Sequence, residues 1–364
     1  MVTETKRTSY LGRIGNSIKG VLFGLILVCA SSYFLFTNEG SVDLSEFAVD
    51  AMELFGIEEL ETLDGEFIAL TGEVVTDETL EDEYARLDDS LYLKRDVETY
   101  AWVEKKDSET TTNTGGSSTT KTTYTYSKKW VSKVPATADF KDPAGHENVY
   151  NEYDNGFERA QKIQVAGLEV DTFGLRMPPA STDVTTQVEL LTDDFIESGE
   201  YLFNGVGTLT DPQIGDARVK YYSVNELDTG TLFGKWNLER NLVDPYYDDE
   251  VKIHGLYVGN KDMALETMHS EYLTRLWMVR MFALIFMFAG FSAIFAPFHT
   301  VLSVIPAIGN LGKGAASALS FVLTVLLGGL IIILGKVWYS WILFVILGLI
   351  VFGFGYKYYK KSKA

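Results

Sequence analysis

Four histidines, His146, His254, His269 and His299, are the side chains whose ordinary pKa lies nearest neutrality, so general acid–base chemistry would start from one of them. His146 is the best placed, with Asp139, Asp142 and Glu147 close in sequence. The same residues suit a loop in which the imidazole, or the amide of Asn148, ties down a turn, and that reading is favoured. No two histidines have the spacing of metal ligands, and the single cysteine, Cys29, lies inside an apolar stretch. Thiolate zinc sites and cysteine nucleophiles are thereby excluded. Gly115-Gly116 is not followed by Lys-Ser/Thr, and Gly205-x-Gly207 lacks the rest of a dinucleotide fingerprint, so no phosphate-binding loop is present. The acidic stretches 78–89 and 244–250 lack the ligand order of a calcium loop and read as solvated charge. The expectation is therefore no catalytic residue, no metal and no cofactor. Tyr100, Trp102, Tyr124, Tyr126 and Trp130 read as cross-strand pairs of a sheet, with an aromatic ligand-binding face as the sharper alternative.

The elements that carry these residues follow from where charge and apolar residues fall. Of 50 acidic residues, all but Glu4 lie between Glu39 and Glu271, while both ends are basic. Residues 38–274 hold 49 acids against 19 lysines and arginines. Such a body repels phosphate backbones, which argues against a nucleic-acid partner. With one cysteine there is no internal disulfide, and a domain of this length must be held by its apolar core.

Four windows are apolar and long enough to cross about 30 Å of hydrocarbon as helices. They are 20–37, 276–295, 315–334 and 338–355. The first follows Lys6, Arg7, Arg13 and Lys19 and is short, so a cleaved leader competes with a retained anchor. Gly335-Lys336-Val337 reads as the tight link between the last two spans. Small residues there (Ala316, Ser320, Gly328, Gly329, Gly348, Gly353, Gly355) would allow close helix approach. Basic ends are retained in the cytoplasm. Residues 1–19 and the tail 356–364 are thus expected inside and residues 38–275 outside, in a periplasm or lumen. Arg275 and Arg280 oppose this weakly and are expected to reach outward to lipid phosphates. The stretch 296–314 reads as a cytoplasmic or interfacial loop.

Within 38–275, apolar residues at helical spacing predict an acidic amphipathic helix over 42–63, and a second helix is expected over 183–197. Alternating patterns predict strands at 66–76, 91–105, 124–133, 200–209, 217–224, 231–238 and 251–258. The Ser/Thr/Gly-rich run 107–120 reads as a mobile hairpin loop. Residues 261–277 look helical and enter the second span without a breaker. The fold class is membrane α plus soluble α+β: a β-dominated mixed domain between one N-terminal and three C-terminal transmembrane helices.

Several strings, in this order, resemble the LUMA family, also called transmembrane protein 43. They are the end of span one, Tyr33 to Gly40, with Asn38, Glu39 and Gly40; Leu93 to Glu104, containing Arg95, Tyr100, Trp102 and Glu104; then Tyr124, Tyr126 and Trp130. Gly145-His146-Glu147-Asn148 and Gly215-Asp216-Ala217-Arg218 complete the set. Where the family has Pro after Gly-His-x-Asn, this chain has Val149. The resemblance implies a multi-spanning membrane protein with a lumenal or periplasmic domain, whose motif residues serve structure or interaction. Eukaryotic members act in the endoplasmic reticulum and inner nuclear membrane with emerin and lamins. The absence of an Asn-x-Ser/Thr sequon and the sparse cysteine fit a bacterial member in the cytoplasmic membrane, and emerin- or lamin-type partners carry over only to a eukaryotic one. The expected function is a membrane scaffold or organiser acting through protein or lipid interactions. Expected partners are membrane lipids, other membrane or envelope proteins, or a second copy of the chain. A membrane-associated enzyme or accessory factor of envelope or lipid metabolism, using His146, is the alternative, and an oligomeric channel subunit the third.

Overall fold

The computed structural model describes residues 1–248, 251–302, 306–340 and 345. The chain divides into two compact units. One comprises residues 1–2, 43–107 and 123–270. The other comprises 3–42, 108–122 and the residues from 271 onward.

Most of the described strands belong to two large sheets. One has the order β1 (Val2–Thr8), β7 (Ser118–Val131), β6 (Ser90–Thr112), β15 (Ala217–Asn225), β14 (Tyr201–Asn204), β13 (Ile196–Ser198); β11 (Thr182–Asp183) joins β15 and β8 (Gly156–Arg159) joins β6. The other has the order β10 (Leu168–Asp171), β9 (Lys162–Val165), β3 (Phe67–Val75), β16 (Leu227–Asn237), β17 (Leu242–Asp244). To it β2 (Met52–Leu54) adds in parallel on β3, and β20 (Gly255–Val258) adds on β16. Small sheets of β4 (Leu80–Glu81), β5 (Ala85–Leu87) and β12 (Glu189–Leu190), and of β18 (Tyr246–Asp248) with β19 (Val251–Ile253), hold the other described strands.

Alternation in β6 and β15 sends Leu91, Leu93 and Val97, with Val219 and Tyr221, into one core beside Ile68, Leu70 and Leu232 of the second sheet. The other face of that second sheet is covered too. Ala69 and Phe233 pack with Ala264 and Met268 of the helix α3 (Lys261–Leu302) and with Ala48 of the short α2 (Leu44–Ala48). Burial on both faces explains why Ile68, Ala69, Leu70 and Thr71 are buried in succession instead of alternating. The one polar member of that run is satisfied, because Thr71 and Thr231 share a hydroxyl hydrogen bond of 2.9 Å.

Two expected long helices are replaced by short elements and turns. The segment 42–63 forms α2, the strand β2 and a 3-10 turn over Ile57–Thr62. Its buried positions, Ala48, Ala51, Leu54 and Leu60, recur every three or six residues, a spacing that also matches a helix face. The segment 183–197 forms β11, β12, β13 and turns, because Val184 and Val188 enter the main core from a loop. Residues 107–120 are a ribbon, not a mobile loop: β6 and β7 continue to a tip at 113–117. Threonine is β-branched and favours extended chain, and hydroxyls pair across the strands at Ser108–Thr122 (3.1 Å) and Thr110–Thr120 (2.9 Å).

In the second unit the ribbon tip lies on the start of α1 (Tyr10–Asn38), where Arg13 Nη1 donates to the Gly116 carbonyl at 2.6 Å. Gly116, at φ +79°, rests on the Tyr10 ring. Among the described residues three helices are long and apolar enough to cross a membrane: α1, α3 and α4 (Pro306–Tyr339). Leu35, Ala283 and Met287 form their small core with Leu284, Leu327 and Ile331. Leu22, Phe23 and Ile26 of α1 and Leu326 and Leu330 of α4 face outward, the distribution that lipid requires. The expected spans 20–37, 276–295 and 315–334 lie within these helices. The loop expected at 296–314 is helical up to Leu302 and again from Pro306. The link at Gly335-Lys336-Val337 is likewise helix, since α4 continues to Tyr339. The fourth span, 338–355, lies outside the described residues except at 338–340 and 345, as does the basic tail.

Candidate functional site: a buried ion pair and a polar-aromatic cluster

At the end of α1, three consecutive residues each bind a different neighbour. Asn38 donates from Nδ2 to the Leu276 carbonyl of α3 at 3.1 Å. Glu39 accepts two hydrogen bonds from Arg280 of α3, Nε at 2.7 Å and Nη2 at 2.6 Å, and both side chains are almost completely buried. Gly40 lies against the ring of Tyr339 in α4. Gly335 of α4 makes room for Glu39, since a Cβ there would come within 2.8 Å of the glutamate side chain. Arg280 also lies 4.9 Å from the Trp277 ring centroid. Its expected reach to lipid phosphate is thus corrected. A guanidinium this far into an apolar span is stabilised by a carboxylate in two-pronged geometry, with no need for a headgroup. Arg275, by contrast, is exposed.

The helices approach closely further along. A Cβ on Gly24 would lie 2.6 Å from the Gly290 carbonyl oxygen, and one on Gly290 would lie 2.9 Å from that of Gly24. Of the small residues expected to do this, Ser320 is fully buried, Gly328 meets Leu284, and Gly329 meets nothing. Gly24 and Gly290 were missed, although each stands as a lone glycine in an apolar run.

The remaining motif residues gather in the first unit. Arg95 donates to Asp82 at 2.5 Å and to the Asp154 carbonyl at 2.9 Å, and its guanidinium covers the Tyr84 ring at 4.4 Å. Asp82 also accepts from the Tyr221 hydroxyl and from the backbone of Tyr84 and Ala85. Burial raises the Tyr221 hydroxyl well above its ordinary pKa, and the neighbouring Asp82 charge adds to the shift. Burial, with Glu83 beside it, pushes Tyr84 up to about 12. Neither phenol ionises near neutrality. Arg218 pairs with Glu98, its direct cross-strand neighbour, and lies over Trp130 at 4.7 Å and Tyr201 at 4.3 Å. Tyr100 packs on Trp130 at 5.3 Å.

His146 is stacked on Tyr126 at 3.8 Å and set edge-on to Trp102 at 4.9 Å, with Nδ1 2.9 Å from the Asp142 carbonyl. Tyr126 donates to Glu104 at 2.7 Å, and Glu104 accepts from the Lys141 backbone. Tyr124 is buried, with the ammonium groups of Lys106 and Lys141 each 5.9 Å from its ring. Asn148 acts as a substitute strand: its side chain accepts from Trp102 N and donates to Trp102 O, at 2.7 and 3.0 Å. Asn155 does the same for Val97 N, and Asn151 reaches the Thr99 hydroxyl. These last two are contributors that the sequence reading passed over, and their signal was three asparagines in one short polar stretch. Asp216 accepts from the backbone of Val206, Gly207 and Gln213, closing that loop. Gly215 has φ +97° and faces Val149, the residue that departs from the family pattern. Gly145, at φ +78°, makes the turn before His146. Among the described residues no group of His, Cys, Asp and Glu has the arrangement of a metal site.

Among the described residues, three long apolar helices, the first two joined by a buried ion pair and separated in sequence by a sheet-rich domain, define a multi-spanning membrane protein with a large extramembrane domain. Residues 99–341 match the family model of Transmembrane protein 43, and the chain belongs to that family. It is 25% identical over 236 residues to rat Transmembrane protein 43, covering 60% of this chain and 57% of the relative. The human protein is 24% identical over 234 residues, and the Drosophila melanogaster homolog is 26% identical over 254, covering 62% of each chain. The match thus spans about three fifths of these curated relatives. No solved structure matches.

Proposed function

We propose that this chain is a membrane scaffold whose large acidic domain, on the non-cytoplasmic side, organises other membrane components by binding them. The observation that supports this is the way the motif residues are used. Arg95, Arg218, His146, Asn148 and Asp216 are all bound to protein partners, so they fix the shape of the surface around them. The basic tail 356–364 supports that side, whereas the basic N-terminus does not, because β1 pairs with β7 and sets residues 2–8 beside the ribbon of the domain. Other membrane proteins, lipids and further copies of the chain are the proposed partners. The membrane is the cytoplasmic one in a bacterium and the endoplasmic reticulum or inner nuclear membrane in a eukaryote.

The test is purification of the full chain in mild detergent, as wild type and as Arg218→Ala. A scaffold retains stoichiometric membrane proteins or lipids, and Arg218→Ala reduces them while the melting temperature stays within a few degrees. Purification of the chain alone from its native membrane, with no retained component, would overturn the reading.

A further inference from the structure

We infer that the groove between α1 and α3 is a binding site for an anionic glycerophospholipid, its phosphate held by Arg275 and one acyl chain lying between the helices. The groove encloses about 380 Å³ and is lined by Leu27, Ala30, Ser31 and Phe34 of α1 and Val279, Phe282, Ala283 and Phe286 of α3. The one polar side chain in it, Ser31, turns its hydroxyl back onto the Leu27 carbonyl at 2.5 Å, leaving an apolar lining. Small residues form the floor, with Ala283 and Ser31 buried, and Phe34, Phe282 and Phe286 form the outer walls, each more than half exposed.

Helix geometry places the charge. At about 100° per residue, positions 275, 279, 282, 283 and 286 fall on one face of α3, so Arg275 stands one turn above Val279 at the head of the groove. Arg275 is exposed, and its contact with the Val42 carbonyl, at 3.5 Å, is at the limit for a hydrogen bond. Of the acids nearest this level, Glu39 is already bound to Arg280, and Glu271 stands one turn before Arg275, further along α3 from the groove. A cation above an apolar slot of about 10 Å of helix, from Val279 to Phe286, matches a phosphodiester joined to a hydrocarbon chain. Neither inorganic phosphate nor a neutral detergent supplies both halves. This inference concerns the helices and is independent of the scaffold reading, which rests on the sheet-rich domain.

The test uses the full chain in nanodiscs of phosphatidylcholine, titrated with phosphatidylglycerol bearing a photoactivatable group mid-chain. Crosslinks are expected in the peptide holding Val279 to Phe286, and labelling there should fall at least fivefold in both Arg275→Ala and Phe282→Ala. Both substitutions are at exposed positions, and an unchanged melting temperature confirms the fold. Arg275→Lys should restore part of the labelling. In detergent, phosphatidylglycerol should raise the melting temperature of the wild type, while inorganic phosphate or phosphatidylcholine alone should not. Labelling spread evenly over the outward face of α4 overturns the proposal, as does labelling indifferent to both substitutions or equal stabilisation by phosphate alone.

Discussion

His146 is stacked on one ring and edge-on to another, and its imidazole Nδ1 lies 2.9 Å from the Asp142 carbonyl, so removal of the ring is a packing event. His146→Ala should lower the stability of the sheet-rich unit by about 1–2 kcal/mol, from the lost ring contacts, and leave partner retention intact. Loss of function in a fully folded variant would falsify the structural role. His254 gives the pH dependence. Burial holds its imidazole below the ordinary histidine value, against the opposing hydrogen bond to the Val243 carbonyl. As pH falls below about 6.5 the unfolded chain takes up the proton first. Stability from this site is therefore full above that pH and declines beneath it, and His254→Gln should flatten the unfolding curve between pH 7 and 5. At this scale the resemblance singled out Arg95, Trp102, His146, Asn148 and Arg218, and their partners only in part. Asp82, Tyr221 and Asp154 come from distant segments, and no spacing along the chain announces such pairs.

Among the elements, those with a long uninterrupted pattern were legible: the three spans and β3, β6, β15 and β16 all fall where periodicity put them. The segments 42–63 and 183–197 were not, because an apolar residue at every third or fourth position serves a turn-rich path over a core as well as a helix. The ribbon at 107–120 shows the reverse error. Its lack of apolar residues suggested a mobile hairpin loop, yet β-branching, cross-strand hydroxyl pairs and the docked tip keep it extended. Because β1 pairs with β7, Thr5 and the ribbon tip belong on one side of the membrane, a constraint the charge rule did not contain. Single cysteines at Thr5 and Thr114, in a Cys29→Ala background, should react with an impermeant maleimide from the same side. Labelling from opposite sides would break the pairing. Gly24→Leu should separate α1 from α3, reducing resistance of the full chain to denaturing detergent, whereas Gly329→Leu, at a position with nothing near it, should have little effect.

For the molecule as a whole, the Glu39–Arg280 pair joins α1 to α3 across most of the sequence. Removing one partner, in Glu39→Ala or Arg280→Ala, strands a charge and should cost about 3–5 kcal/mol in bundle stability. The double variant Glu39→Leu with Arg280→Met should recover most of that loss, measured by unfolding in mixed micelles, since an apolar pair leaves no charge to solvate. The two residues are separated by 241 positions, nearly all of them in the sheet-rich domain. During synthesis Glu39 therefore enters the membrane region long before Arg280 exists, and its counter-charge arrives only after the intervening domain has been made. Until then the nascent chain carries an unmatched carboxylate, and a copy that fails to close displays a bare guanidinium to lipid. The ion pair thus closes only after the whole intervening domain has been made.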